Sequence, residues 1–426
     1  MLKNKGIIII SVALCLMICT RIFAQNEISS PYSRYGVGLL TNCSNSTLAT
    51  MGGVSYAMQS NNYINFRNPA SYVAFDSLTF TGEVGFNINT YNLRTSSLRQ
   101  NGTIGRLDYL TIGLPLTRHW RTSVGLIPFS HKGYNILDSR EIDHIGNVNY
   151  TYSGEGGLMQ LYWGNAFQLY KGLSIGLNVS YLWGNLSSIR YEEFQGDNFY
   201  NFRIAQNDYV DGIYLQAGLQ YMAHIGENHK LGIGATYENS AYIWVKRDQL
   251  VQHYTGIYSS VYSYDTTSAI MGQKGNMRIP QSAGFGLSYS FKDKITVGAD
   301  VTWQNWAKYQ CMGQGDSLKN AIISAIGIEY IPDPTSGKFG KNIALRLGGR
   351  YSTGYMNVRG TDIDEFAVSI GLGLPFRTFS SRFAINLMFE YSSLGTTKNN
   401  LIRQDYFKVG INMVLIEHWY QRMKLE

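Results

Sequence analysis

Charge is scarce in this chain, and so are cysteine and long apolar runs. Charged residues make up 15% of the sequence, whereas soluble proteins carry about a quarter. Of the four cysteines, Cys15 and Cys19 lie near the start, which leaves Cys43 and Cys311, too few for a disulfide scaffold. After residue 24 no run approaches the roughly 18 consecutive apolar residues of a spanning helix. A disulfide-rich protein and a helical membrane protein are therefore excluded.

The first 24 residues have the pattern of a secretory signal peptide. Lys3 and Lys5 precede an apolar run, and the small residue Ala24 ends the segment. A lipoprotein cysteine at Cys15 or Cys19 is the alternative. In both cases we expect the chain to leave the cytoplasm. Without this segment about 33 basic residues face 29 acidic ones, a net charge of about +4. Nothing in this balance indicates a nucleic-acid partner.

What the chain has in abundance is aromatic residues, at 14%, and glycine, with 45 residues. Its apolar residues alternate with small or polar ones, as strands of a membrane barrel require. In Leu173–Trp183, the odd positions are apolar and the even positions are mostly Ser, Gly and Asn. A soluble sandwich also alternates, but it would not need an apolar face on nearly every strand. The sequence predicts an all-β protein, a transmembrane antiparallel β-barrel.

About fourteen candidate strands follow Ser77, an even number, as bacterial barrels require. Connections such as 171–172 and 292–294 are tight, whereas 132–155, 191–208 and 247–278 read as long exterior loops. Short turns lie in the periplasm, so we expect both Gln25 and Glu426 there. Aromatic residues near strand ends fit interfacial girdles, although aromatic abundance alone also fits core packing; they are Tyr162, Trp163, Trp183, Trp244, Trp303 and Trp306.

Residues 25–76 precede the first strand and lack its alternation. Three roles are open for them: a free periplasmic tail, a site for a periplasmic partner, or a plug folded into the lumen. Asn68 and Pro69 favour an ordered turn, because proline fixes φ and asparagine can bond its own backbone. We expect the organisation 1–24 signal peptide, 25–76 plug or hatch, and 77–426 barrel with a short periplasmic tail.

Three stretches carry a family resemblance: Ser30–Leu40, Ala49–Tyr72 and the closing Tyr406–Tyr420. They resemble the FadL-type outer-membrane transporters, in the form found in Bacteroidetes. The resemblance implies a fourteen-stranded barrel closed by an N-terminal hatch with an Asn-Pro-Ala motif, here Asn68, Pro69 and Ala70, with Asn65 beside it. Ser71-Tyr72 follows where the fatty acid transporters have Gly-Leu. Members import long-chain fatty acids or aromatic hydrocarbons, and a related branch serves type IX secretion.

Enzymatic motifs are weak in this chain. Gly172–Gly176 fits G-x-S-x-G, but Ser174 begins an alternating strand, whereas a nucleophile elbow needs a strand-to-helix turn. Gly315–Leu318 reads GDSL, yet it lies in a predicted exterior loop. The seven histidines show no metal-ligand spacing. We therefore expect no enzyme, cofactor or metal.

Inward positions carry few charges, among them Glu83, Glu238, Asp300, Arg346, Arg350, Glu390 and Lys408. One interpretation is a network of pairs that braces barrel and hatch, because an unpaired buried charge is costly. The other is that Arg346 or Arg350 binds the carboxylate of an amphipathic ligand.

Proline 128 interrupts an otherwise good membrane strand. Proline offers no N–H to the ladder, so a bulge or kink is expected near Pro128 and Phe129. The FadL resemblance implies a lateral opening in this strand, through which ligand reaches the bilayer. The alternative places Pro128 beyond the ladder, at the exterior end of the strand, where it opens nothing.

Two functions remain open. The first is passive, hatch-gated uptake of hydrophobic small molecules across the outer membrane of a Gram-negative bacterium, by a single barrel in outer-membrane lipid. The second is a scaffold or shuttle in protein secretion or envelope assembly, with an exterior or periplasmic protein partner. Candidate capture residues for a ligand are tyrosines of the stretch His253–Asp265, although an ordinary loop cap fits as well: Tyr254, Tyr258, Tyr262 and Tyr264.

Overall fold

A computed structural model describes residues 30–41, 44–195, 199–257, 260–336, 338–377 and 381–418. The predicted signal peptide lies outside these residues. None of the described helices is long and apolar enough to cross a membrane.

The architecture is a closed antiparallel barrel of 14 strands, as predicted. Each strand pairs with the next along the chain, and β14 pairs with β1 to close the ring. Strands β7 and β8 are each broken into two segments. The strands are β1 (Thr79–Arg94), β2 (Arg99–Pro115), β3 (Trp120–Ile142), β4 (Gly146–Tyr170), β5 (Leu173–Phe194), β6 (Asn201–Ile225), β7 (His229–Glu238 and Ala241–Ile257), β8 (Ser260–Ile279 and Ser282–Phe291), β9 (Ile295–Gln304), β10 (Ala321–Tyr330), β11 (Ala344–Ser352), β12 (Glu365–Arg377), β13 (Ser381–Leu394) and β14 (Arg403–His418).

We name the two ends of the barrel by its strands. The terminal end holds Thr79 and His418, which pair with each other, and the far end is opposite. At the far end the prediction of long loops at 132–155, 191–208 and 247–278 is wrong for most of these residues. They extend the hairpins β3–β4, β5–β6 and β7–β8. Their strands carry polar residues on both faces, so the sequence lacks the apolar stripe by which membrane strands are recognised.

The alternation predicted along the strands is confirmed. In β5, Ile175, Leu177 and Val179 are exposed, while Ser174, Asn178 and Ser180 are buried. Large apolar side chains are likewise exposed on most strands, for example Ile326 at 61% and Phe407 at 56%. A soluble protein rarely exposes so continuous an apolar surface, whereas a bilayer covers it.

The aromatic prediction is correct only in part. Trp163 and Trp244 are exposed on the outer surface. Tyr162 and Trp306 are buried inside the barrel instead, so they do not belong to an interfacial girdle. Tyr162 occupies an inward position of β4, and Trp306 begins a 3₁₀ turn after β9. The aromatic content does not distinguish inward from outward positions. For Tyr162 the alternation of side chains along β4 does so.

The N-terminal segment, described over residues 30–41 and 44–78, runs through the lumen from the far half toward the terminal end. The backbone N–H of Ser30 donates to the carbonyl of Gly133 at 3.0 Å, and Thr79 begins β1 at the terminal end. Ser30 and Thr79 therefore lie in different halves of the barrel; Gln25 and Glu426, which we expect in the periplasm, lie outside the described residues. The segment contains 3₁₀ turns Pro31–Arg34 and Pro69–Ala74, a short strand Leu39–Leu40 and helix α1 (Ser46–Ala49).

Inward-facing glycines let this segment lie directly against the strands. A Cβ on Gly234 of β7 would stand 1.9 Å from the carbonyl oxygen of Tyr56. On Gly176 of β5 it would stand 2.4 Å from the carbonyl carbon of Pro69, and on Gly348 of β11 it would stand 2.0 Å from the nitrogen of Gly52. No side chain fits at these distances, so the barrel and the segment meet backbone to backbone.

We expect Gly234→Ala to destabilise the packed segment by about 1–3 kcal/mol, because the added methyl group overlaps the Tyr56 carbonyl. Thermal unfolding in detergent should show a lower midpoint. Gly340→Ala is the matched control, since nothing lies within 4 Å of its Cβ position. Equal midpoints for the two variants would contradict the backbone contact.

Candidate functional site

The candidate site is the lumen together with the N-terminal segment that crosses it. Two buried carboxylates on opposite sides of the barrel, Glu83 of β1 and Asp300 of β9, bind backbone N–H groups of the segment. Both were predicted as inward charges, and strand parity places them inward.

Glu83 is bound by three donors. It accepts from the N–H of Ile64 at 2.9 Å, from the hydroxyl of Tyr109 at 3.1 Å and from the amide of Asn412 at 3.0 Å. Three such donors can stabilise a buried carboxyl group without a cationic partner. Glu83 therefore ties the segment to β1, β2 and β14.

Asp300 binds the segment at a turn. One of its oxygens accepts from the N–H groups of Ser55 and Tyr56, at 2.6 and 3.0 Å. The hydroxyl of Tyr56 lies 2.7 Å from that of Thr302, also on β9. Burial raises the pKa of Tyr56 above its ordinary value, so its hydroxyl stays protonated.

The Asn-Pro-Ala motif forms a turn of the N-terminal segment. The side chain of Asn68 accepts from the N–H of Ala70 at 3.1 Å and caps the 3₁₀ turn that begins at Pro69. Its amide donates to the carbonyl of Tyr56 at 2.7 Å and to that of Leu219, on β6, at 3.2 Å. The motif thus fixes the turn and attaches it to the barrel.

Asn65 holds a second turn of the segment. Its amide donates to the carbonyls of Ser55 and Met58, at 2.6 and 2.9 Å. Because Ser55 also donates to Asp300, Asn65 supports the residue that the carboxylate binds.

Sequence reasoning weighed only charged inward residues and missed the amide and hydroxyl groups that also hold the segment. Gln220 donates to the carbonyl of Tyr56 at 2.8 Å, Ser288 to that of Ala57 at 2.9 Å and Asn178 to that of Phe66 at 3.2 Å. Their signal was available, since each is a polar residue at an inward position of a barrel strand.

The two arginines that the sequence analysis named as possible ligand-binding residues are both paired. Arg346 lies 2.7 Å from Glu329, and Arg350 lies 2.8 Å from Glu365 and 3.6 Å from Glu390. These distances agree with the bracing interpretation. A ligand carboxylate at Arg350 would have to approach two protein carboxylates.

Strand β3 separates from β2 next to Pro128. The ladder joins Leu110–Pro115 of β2 to Arg121–Leu126 of β3 and ends there, although both strands continue toward the far end. The register of β3 with β4 shifts between Pro128 and Ser130, so a bulge is present at Phe129, where the sequence predicted one. Pro128 lies within β3 and not beyond its end, contrary to the alternative.

We call this separation the seam. On its β3 side the N-terminal segment takes the place of β2. Leu39 and Leu40 pair with His131 and Ser130. The N–H of Thr41 donates to the carbonyl of Phe129 at 3.0 Å. Part of the edge that β2 leaves unpaired is thus satisfied from inside the barrel.

The tyrosines of the expected capture surface differ in exposure. Tyr254 is buried and donates to Glu193 at 3.0 Å, so it offers no surface to a ligand. Tyr264 is exposed. Tyr258 lies outside the described residues, as does the side chain of Tyr262. The two described residues face each other across the β7–β8 hairpin, where the sequence predicted a loop.

The two hydrolase-like motifs occupy ordinary structural positions. Ser174 lies near the start of β5, with no strand-to-helix turn. Asp316 accepts from the N–H of Gly36 at 2.6 Å, in the connection after β9. Among the described residues, no group of three or more His, Cys, Asp or Glu could hold a metal ion.

The fold is that of the FadL-type barrels. Similar solved structures include a Pseudomonas aeruginosa FadL homologue, with a TM-score of 0.59 at 12% identity, covering 90% of this chain and 100% of that one. The Pseudomonas putida toluene transporter TodX gives 0.60 at 16%, covering 88% and 98%. The Ralstonia pickettii toluene transporter TbuX gives 0.55 at 12%, covering 88% and 98%. At these identities the likeness establishes the fold alone.

The sequence itself matches the family model BamG over residues 1–426. The chain belongs to the BamG family. The FadL resemblance thus identified the fold but not this family, and the Bacteroidetes form stays a prediction. No curated protein matches the sequence.

We expect Asp300→Ala to loosen the N-terminal segment, because the N–H groups of Ser55 and Tyr56 lose their acceptor. A buried donor left unpaired costs about 1–3 kcal/mol. The variant should unfold at lower temperature and admit more ions in planar bilayers. Asp293→Ala is the control, since its pair with Lys230 is exposed. Wild-type stability and conductance in Asp300→Ala would contradict an anchoring role.

Proposed function

We propose that the protein carries hydrophobic small molecules across the outer membrane of a Gram-negative bacterium, and that they leave the barrel sideways through the seam. The observation that carries this proposal is the end of the β2–β3 ladder at Leu110 and Leu126, in strands that both run on toward the far end. A bilayer-facing gap in an otherwise closed ladder offers an apolar solute a path that avoids the periplasm. The FadL-like fold and the transporter names of the neighbouring structures support this reading. They also support a non-enzymatic role.

In this proposal residues 25–76 are the hatch. The described part of this segment fills the lumen, and its anchors at Glu83, Asp300 and Leu219 lie on three separate strands. The terminal end, with its short turns, faces the periplasm. The far-end hairpins face the exterior.

A cavity of about 80 Å³ lies next to the bulge and is lined by Phe129, Ile127, Tyr214 and Trp306. This volume is below the roughly 150 Å³ of a protein cavity that accepts benzene. Ligand passage therefore requires movement of the hatch or of β3. Phe129 connects β3 to the hatch at this point. It is the bulged residue of β3, and its carbonyl accepts from the N–H of Thr41.

We expect Pro128→Val to slow uptake of an apolar solute, because valine restores the N–H that proline lacks and favours continued pairing of β3. The measurement is uptake of radiolabelled toluene or palmitate into proteoliposomes. Pro375→Val is the control, because Pro375 lies in β12, where the ladder with β13 is continuous. Unchanged uptake by a correctly folded Pro128→Val protein would exclude a gate here.

A second candidate is a scaffold in secretion or envelope assembly. The observation that favours it is the exterior sheet formed by the far halves of β3 to β8, which offers a large protein-binding surface. Purification from native membranes in mild detergent separates the candidates. We expect co-purified lipid without a stoichiometric protein. A stoichiometric protein partner would instead support the scaffold.

A further inference from the structure

A charged cavity of about 200 Å³ lies behind the seam and reaches both of its edges. Arg106, Leu107 and Asp108 of β2 line it on one edge, and His131 of β3 lines it on the other. Leu39–Thr41 and the connection after β11 also line the cavity, and we call them its cover. Tyr355 of that connection donates to the carbonyl of Gly38 at 3.0 Å, which fixes this cover in place.

The charged residues that line this cavity lie on strands at increasing separation from the seam. Arg106 lies on β2, at the seam, and Lys408 lies on β14, two strands further round the barrel. Glu390 and Glu365 follow on β13 and β12. The group nearer the seam contains two cations with one carboxylate, Asp108. The group further from the seam contains two carboxylates with one cation, Arg350. The cavity is neutral in formal charge, with more cations than carboxylates on the strands nearer the seam and more carboxylates than cations on the strands further from it.

Two of its ion pairs are long. Lys408 lies 3.7 Å from Asp108, and Arg350 lies 3.6 Å from Glu390. Direct charged hydrogen bonds measure about 2.7–2.9 Å, so these two pairs are longer than such bonds, whereas Arg350 lies 2.8 Å from Glu365.

We propose that this cavity binds the headgroup of a phosphoethanolamine lipid whose acyl chain stays in the bilayer. This rests on the proposed lateral passage through the seam. In such a lipid the phosphate lies next to the acyl part and the ammonium lies at the tip. A headgroup that enters through the seam places its phosphate near Arg106 and Lys408, and its ammonium near Glu390 and Glu365. A fatty acid has no cation for the inner carboxylates, and toluene has no charge for either group.

The test measures binding of lysophosphatidylethanolamine, palmitate and toluene to the full-length protein in dodecyl maltoside, by native mass spectrometry. We expect the lysolipid to bind at least about tenfold more tightly than either competitor. Arg106→Gln and Glu390→Gln should each weaken lysolipid binding by about tenfold, the loss expected for one charged hydrogen bond. Lys230→Gln is the control, since Lys230 pairs with Asp293 at the terminal end. Heat-modifiable migration in gels confirms folding, and Lys408→Gln replaces either variant that does not fold.

The outcomes separate this inference from the proposed function. Lysolipid binding that is lost in both charge variants supports the headgroup site, even if proteoliposomes show no uptake. Palmitate or toluene uptake with no preferential lysolipid binding overturns the headgroup site and leaves transport standing. Lysolipid binding that survives in both variants also overturns it, because the lipid then lies elsewhere. Absence of binding and of uptake for all three probes overturns both.

Discussion

The hydrogen-bond ladder of the barrel is the constraint on which the rest of the structure depends. In hydrocarbon every backbone N–H and C=O needs a partner, and a closed ring of strands supplies one. The ring is complete from β3 through β14 to β2, and it opens between β2 and β3 in the far half. At that opening the chain's own N-terminal segment pairs with β3. The opening of the ladder between β2 and β3 and the position of the segment are thus parts of a single arrangement.

Contact between barrel and segment is made both through backbone atoms and through apolar side chains. Glycines on the inner surface allow the approach, and carboxylates, amides and hydroxyls then bind the exposed peptide groups. Such contacts are directional and leave little room for sliding, because each donor has a defined acceptor. Apolar packing adds to this attachment, since Phe66 and Tyr72 of the segment lie in one buried cluster with Tyr109 and Tyr162 of the barrel.

Much of this could be predicted from the sequence, because membrane strands have a strict period. Strand number, the inward direction of Glu83 and Asp300 and the bulge at Phe129 all follow from alternation or from the missing N–H of Pro128. The far-end hairpins could not be recognised, since outside the bilayer both faces of a strand are polar. Nor could the pairing of Arg350 with Glu365 and Glu390, which depends on the register between three strands. The burial of Tyr254 follows from the same hairpin register.

The path of the N-terminal segment makes it part of the core of the barrel. Its first described residues contact the far half, and it leaves at the terminal end to become β1. The far half of the lumen is filled by an apolar cluster that includes Val37 of the segment together with Leu182, Ile243 and Trp306. Without the segment these barrel side chains would lose part of their buried contacts. The segment and the strands therefore share one core, and neither reaches its full stability alone.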